Sequence, residues 1–330
     1  MLQIDEVEIM KDKDQTGRYV TVLGGVNVDI QGFPKDKLIP EDSNIGTVKI
    51  SMGGVGRNIG ENLVRLGINT KLISVVGDDY FSQKILKDSA KVGLDMNDTL
   101  VVKGKEAPIY LAVLDQDHDM YIGINSMGIL ENMTIEFIKG KKTVIDNSGL
   151  LVLDTNIPGD VLEYLLNEYK DKAIFLDTVS VSKAKKARNL IGNVHTLKTN
   201  RLEVEALTGI KAGDEEGLVK NSSYLLNKGV KAIYITLGKD GVFYANNDDM
   251  RIIRAENVKP VNATGAGDAF MAVLVYCYMM NAGIDETARF ATAASIVALS
   301  HEDTINPNMS KELIDLIMKG LNYYERIFEY

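Results

Sequence analysis

The stretch Asn262-Ala-Thr264-Gly265-Ala266-Gly267-Asp268 runs straight into an apolar segment, Met271 to Met280, a combination that specifies a tight loop feeding a helix N-terminus. Such a loop presents unpaired backbone N–H groups beside the positive end of a helix dipole, a place for anionic oxygens. Asp268 then reads two ways, as a cap that favours the helix or as a carboxylate held beside the anion site as a general base. An earlier cluster, Gly53-Gly54-Val-Gly56-Arg-Asn58, precedes Ile59, Leu63 and Leu66 at helical spacing. Its glycines let a ligand approach the backbone, and Asn58 can both donate and accept at a helix start. Asn27 and Asp29 follow the apolar run Tyr19 to Gly25. That is the end of a strand where ligands bind in open α/β sheets, and equally a place for an Asx turn.

The elements that must position these residues follow from periodicity. Tyr19 to Gly25 and Lys71 to Gly77 read as buried strands, with Asp78 as the cap of the helix that follows. Val48 to Met52 alternates apolar and polar, the pattern of an antiparallel strand with one greasy face. Thr99 to Val102, Pro108 to Leu114 and Met120 to Ile124 form a second group of short strands. Together with residues 30–52, the segment 99–125 is expected to make a small antiparallel β lid, ending at Asn125 and Met127. After about Leu150 the rhythm becomes regular. Leu150 to Leu153, Ala173 to Leu176, Val194 to Leu197 and Ala232 to Leu237 are apolar runs, most of them separated by helical stretches, the pattern of a parallel sheet covered on both faces. Each run ends in polar residues or glycines: Asp154 and Asn156, Asp177, Lys198 and Asn200, Gly238 and Gly241. A row of such endings defines one sheet edge with a long cleft. The fold class is therefore α/β, a doubly wound, mostly parallel sheet with helices on both faces plus a small antiparallel lid. With no repeat or Pro-rich linker, one domain over 19–330 is expected behind a loose, charged leader at 1–18.

Composition excludes several classes of function. The 330 residues are 45% hydrophobic and 25% charged, as in a globular protein. A net charge of -9 leaves no basic surplus to release counterions from phosphates, so neither nucleic acid nor an anionic membrane is an expected partner. The run Lys139 to Lys142 reads as a solvated surface turn. Cys277 is the single cysteine and sits among apolar residues, as a core thiol would. His118, His195 and His301 are scattered without the spacing of zinc ligands. The polar, acidic start and the lack of an apolar run of membrane length favour a cytoplasmic protein.

Four motifs in order now carry a resemblance. Gly53-Gly54-Val-Gly-Arg-Asn58, Asn200-Arg-Leu-Glu203, Thr236-Leu-Gly238-Lys-Asp-Gly241 and Thr264-Gly265-Ala266-Gly267-Asp268 resemble the signatures of the ribokinase-like (PfkB) carbohydrate kinase family, over the chain from about Tyr19 to its C-terminal helices. Within it, residues 53–63, 194–203 and 261–268 and the late Asn306-Pro307 look like the pseudouridine kinase branch, which phosphorylates the 5′-hydroxyl of that nucleoside with ATP. The resemblance implies Asp268 as general base, with Gly265, Ala266 and Gly267 forming an anion hole for the moving phosphoryl group. It implies Asn27, Asp29, Gly53, Gly54 and Asn58 on the ribosyl hydroxyls, joined by Asn156 on the substrate side. Asn200, Thr236, Gly238 and Gly241 would line ATP, and Glu203 would act on Mg²⁺ through water. The same Asn200 and Glu203 also read as a helix cap with its capping-box partner. Asn262 stands where the family more often has Asp, a residue that helps bind a monovalent cation in some members. A K⁺ site would then rest on Asn262 and on oxygens including the Thr264 carbonyl. The lid would close over the substrates to exclude water, and its exposed apolar faces would serve as a homodimer surface. A nucleoside-binding regulator that kept the fold without catalysis is the alternative, as is a kinase of ribose, adenosine or inosine/guanosine. An NAD-dependent dehydrogenase is disfavoured because no GxGxxG follows the first strand.

Overall fold

Val20–Leu23 shows how this sequence builds its centre, because all four residues are buried and successive side chains go to opposite faces of a sheet. Val20 and Val22 enter one core with Ile59, Leu63 and the Phe270–Val275 segment, while Leu23 enters a second core with Leu162, Val204 and Leu218. Leu150–Asp154 divides in the same way, Leu150 and Val152 to the first core, Leu151 and Leu153 to the second. A strand buried on both faces reads as a continuous apolar run, which is why the sequence showed no alternation here. The computed structural model describes residues 19–117, 119–256 and 264–328. The leader 1–18, His118 and Asn262 lie outside the described residues.

Nine strands form the main sheet, in the order Tyr323–Ile327, Met250–Ala255, Val242–Ala245, Ala232–Thr236, Thr196–Asn200, Ile174–Asp177, Leu150–Asp154, Val20–Leu23, Thr70–Ile73. The six from Ala232–Thr236 onward are parallel, and the first three are antiparallel. From Val20–Leu23 the chain moves outward to Thr70–Ile73, then returns to Leu150–Asp154 on the other side. The sheet's direction of growth reverses between these neighbours, and ligand crevices form beyond the carboxyl ends of strands at such a switch point. The helix Ala266–Met279 is apolar almost all round, so it must be enclosed. It packs between Val55–Arg65 and Ile284–Leu299, and Cys277 is buried on it.

The lid is a separate four-stranded sheet in the order Gly46–Gly53, Asn27–Pro34, Ile109–Leu114, Met120–Ser126. Its outer pairs are antiparallel and its central pair is parallel. Two expectations need correction. Leu100–Val101 does not join the lid but pairs in parallel with Val75–Val76, and a two-residue strand carries too little alternation to reveal its partner. The helix Tyr80–Lys91 is capped by Asp79, which accepts from the Ser82 amide at 2.9 Å, whereas Asp78 accepts from the Gly104 amide. The Lys139–Lys142 run is at the surface as expected, with its turn at Lys141 between two short helices, Ile135–Gly140 and Lys142–Asn147, and Lys141 is ion-paired to Asp98 at 3.1 Å. No described helix is long and apolar enough to cross a membrane.

Candidate active site

The loop before Ala266–Met279 is built as its glycines require. Gly265 has φ 81°, a left-handed conformation that a side chain disfavours. A Cβ on it would also lie 1.9 Å from the Thr304 carbonyl oxygen. No described side chain caps the helix, so among the described residues nothing takes its first amides, which suit a ligand or water. Asp268 stands in the first turn, where an acid favours the helix, and its carboxylate turns to another element. Its Oδ2 accepts from Asn58 Nδ2 at 2.8 Å across 210 residues of sequence.

Asn58 reaches that point because two backbones touch. A Cβ on Gly54 (φ 99°) would sit 2.4 Å from Val26 Cα, and one on Gly56 would sit 2.9 Å from the Gly24 backbone. Helix Val55–Arg65 can thus start directly over the exit of Val20–Leu23. Asn58 is 4% exposed, and its Oδ1 has no partner among the described residues. A buried acceptor left empty is costly unless a ligand or water supplies a hydroxyl or N–H. Beside it, Asn27 donates to Asp29 Oδ1 at 2.6 Å, and Asp29 Oδ2 lies over Gly53, where a Cβ would come within 1.9 Å. Burial raises the Asp29 pKa, against the opposing pull of Asn27 and Arg57. Arg57 pairs with Glu61 at 2.8 Å and donates to the Met52 carbonyl at 3.0 Å, which ties the base of the lid to this helix.

The strand ends form one edge. Asp154, Asp177 and Lys198 are register neighbours, as are Asn200 and Thr236. Asp154 is fully buried, accepting from the Gly25 and Asn156 amides at 2.8 Å each, and burial pushes its pKa up to about 6. Asn156 accepts from Lys183 Nζ at 2.5 Å. Lys198 Nζ lies 2.9 Å from Asp177 Oδ2. Asp268 is raised to about 7, first by burial and next by the Asp177 charge, while Lys198 and Asn58 pull it down.

Asn200 and Glu203 form a complete capping box. Asn200 Oδ1 accepts from the Glu203 amide at 2.9 Å, and Glu203 Oε2 accepts from the Asn200 amide at 3.1 Å. Glu203 also accepts from Thr178 Oγ1 at 2.6 Å and Asn200 Nδ2 at 2.7 Å, and burial raises its pKa. With those bonds made, the pair suits a divalent ion only through water. No group of three His, Cys, Asp or Glu among the described residues could chelate one directly. Thr236 donates to the Thr199 carbonyl at 3.2 Å. Gly238 (φ 61°) faces open space, whereas Gly241 (φ 93°) would strike the Ile253 carbonyl if it bore a side chain. Gly241 thus serves the tight turn, and Gly238 has room for a ligand. Thr264 is exposed beside Thr304. Lys183 and Lys198 were not singled out from sequence as site residues. Lys198 carried a signal, the strand-end rule, but Lys183 lies on a short helix with none.

With this geometry described, the chain can be compared with known proteins. Residues 18–311 match the model of the pfkB family carbohydrate kinases. Pseudouridine kinase of Escherichia coli (strain K12) is 35% identical over 302 residues, 91% of this chain and 95% of that protein. Ribokinase of Haemophilus influenzae is 25% identical, over 86% of this chain and 92% of that one. A solved structure from Clostridium perfringens superposes with TM-score 0.85 at 38% identity, covering 96% of this chain and 100% of the other.

Proposed function

Because the chain belongs to the pfkB family of carbohydrate kinases, and is thereby a sugar or nucleoside kinase, we propose that it phosphorylates the 5′-hydroxyl of a nucleoside, pseudouridine first among them. Kinases of this family use ATP with a divalent metal. The substrate choice is supported by the 35% identity to a pseudouridine kinase against 25% to a ribokinase. The observation that carries the mechanism is the Asp268–Asn58 contact at an uncapped helix N-terminus, which joins the late glycine loop to the early one.

In this reading Asn27, Asp29, Gly53, Gly54, Asn58 and Asn156 hold the nucleoside. Asp29 accepts from two ribosyl hydroxyls, and the empty Asn58 Oδ1 takes a third donor. Asp268 accepts the 5′-hydroxyl proton as that oxygen bonds to the γ-phosphorus. The bond from phosphorus to the β,γ-bridging oxygen breaks, and its electron pair leaves with ADP. The amides of Gly265, Ala266 and Gly267 counter the charge on the equatorial oxygens. Asn200, Thr236, Gly238 and Gly241 line the nucleotide. Mg²⁺, held by the ATP phosphates and through water by Glu203 and Asn200, would supply charge neutralisation. A K⁺ ion would rest on Thr264 and on Asn262.

The lid supports a homodimer. Val48 and Ile50 on one strand align across the sheet with Ile122 and Ile124 on another, and all four are exposed. A contiguous apolar face of this kind marks an interface. The test of the substrate is a phosphorylation assay with pseudouridine, uridine, ribose, adenosine and inosine, in which pseudouridine should give the highest kcat/KM. Preference for ribose or adenosine would overturn the assignment while leaving the kinase intact.

A further inference from the structure

We propose that Lys198 is a catalytic residue, its ammonium converging with the first amides of helix Ala266–Met279 on one point where both hold the phosphoryl group in transit. The proposal rests on the kinase reading above. Lys198 stands at the carboxyl end of Thr196–Asn200, with a side chain 12% exposed and Nζ 2.9 Å from Asp177 Oδ2. A Cβ built on Gly267, the second residue of the helix, would lie 2.7 Å from that Nζ. The ammonium therefore sits directly against the helix start.

A cation belongs at the other end of a helix, because the N-terminus is already the positive pole of the dipole. At this pole the ammonium is held by carboxylates, Asp177 in contact and Asp268 and Glu203 nearby. Asp177 compensates the ammonium from one side, but its other oxygen is taken by the Val179 amide at 2.9 Å. An ammonium has three donors, and among the described residues Lys198 uses one of them, on Asp177. The helix amides are likewise uncapped. Asn58 donates to Asp268 in the first helical turn, and its buried Oδ1, without a partner among the described residues, is left for a donor such as the acceptor hydroxyl. Positive pole and lysine thus bring donors to one locus, a set that suits an oxyanion.

The neighbouring charges make the lysine necessary. Asp154, Asp177, Asp268 and Glu203 all gather at this edge, and Lys198 faces Asp177, Asp268 and Glu203 at once. Without its charge a triphosphate would approach a cluster of carboxylates. As the acceptor oxygen bonds to phosphorus and the bridging oxygen leaves with ADP, Lys198 offsets charge on the equatorial oxygens that the backbone loop alone would carry. The absence of a side chain at Gly267 then has a second reason, since a methyl there would push the ammonium aside.

The test compares the full-length protein with Lys198→Met, Lys198→Arg and Gly267→Ala. ATP and ADP binding are measured by calorimetry with Mg²⁺ and no acceptor, and turnover with pseudouridine. Lys198→Met should lose about 10-fold or more in ATP affinity with ADP affinity nearly unchanged, and about 10²–10³-fold in kcat. Lys198→Arg should restore part of the preference for ATP over ADP. A Lys198→Met protein with the wild-type ratio of ATP to ADP affinity and wild-type kcat overturns the proposal. Should that variant not fold, Gly267→Ala decides: lowered kcat with wild-type ADP affinity supports the role, and unchanged kcat removes it. Wild-type protein that binds neither nucleotide would instead sink the kinase reading itself, a separate result.

Discussion

Asp268 and Asn58 lie 210 residues apart in sequence and 2.8 Å apart in space, and the chemistry proposed here depends on that one bond. A carboxylate raised to about 7 by burial can take a proton near neutral pH, as a base of ordinary acidity could not. The ionised form is the active one, so kcat/KM of the free enzyme should fall as pH drops through about 7. Asn58→Ala removes a donor that favours the ionised form and should move this acid limb to higher pH; an unmoved limb would show that the bond does not tune the base. Asp268→Asn should keep nucleoside binding and lower kcat by roughly 10²–10⁴-fold. Turnover within a few-fold of wild type would deny Asp268 the role. The sequence made Asp268 visible but left it between cap and base, since both place an acid in the first helical turn. Asn200 and Glu203 had the same double reading, and there the capping box is realised, with any metal contact left to water.

Among the elements, the two glycine-bearing helix starts set the geometry. Helix Val55–Arg65 begins where its backbone meets that of Gly24–Val26, so Gly54 answers both to a positive φ and to a close approach. Gly54→Ala should cost about 2 kcal/mol or more in stability, from left-handed strain and from a Cβ inside contact distance of Val26. Chemical denaturation would measure it, and a midpoint equal to wild type would contradict the close approach. Strong periodicity located the long elements, and four ordered motifs located the loops between them. The short strand Leu100–Val101 was misplaced, because two residues have no period and their partner Val75–Val76 is chosen by packing. The cap of Tyr80–Lys91 slipped by one residue for a similar reason: Asp78 and Asp79 are adjacent, and either side chain could cap a helix.

At the scale of the whole molecule, the lid should associate with a second copy through Val48, Ile50, Ile122 and Ile124. Sedimentation should give a dimer for the wild type and a monomer for the Ile50→Asp, Ile124→Asp double variant. A monomeric wild type would end that assignment. The sequence by itself determined the layered α/β class, the lid and the order of the motifs, because apolar runs, alternation and glycine loops are local and each has a direct backbone consequence. Only the tertiary structure decided which polar strand ends face one another. The pairing of Lys198 with Asp177 against Gly267, the hold of Lys183 on Asn156, and the choice of Asp268 as partner of Asn58 all join distant residues. Contacts of that kind are fixed by strand order, and strand order is set by how two cores fill on either side of a sheet rather than by any local pattern.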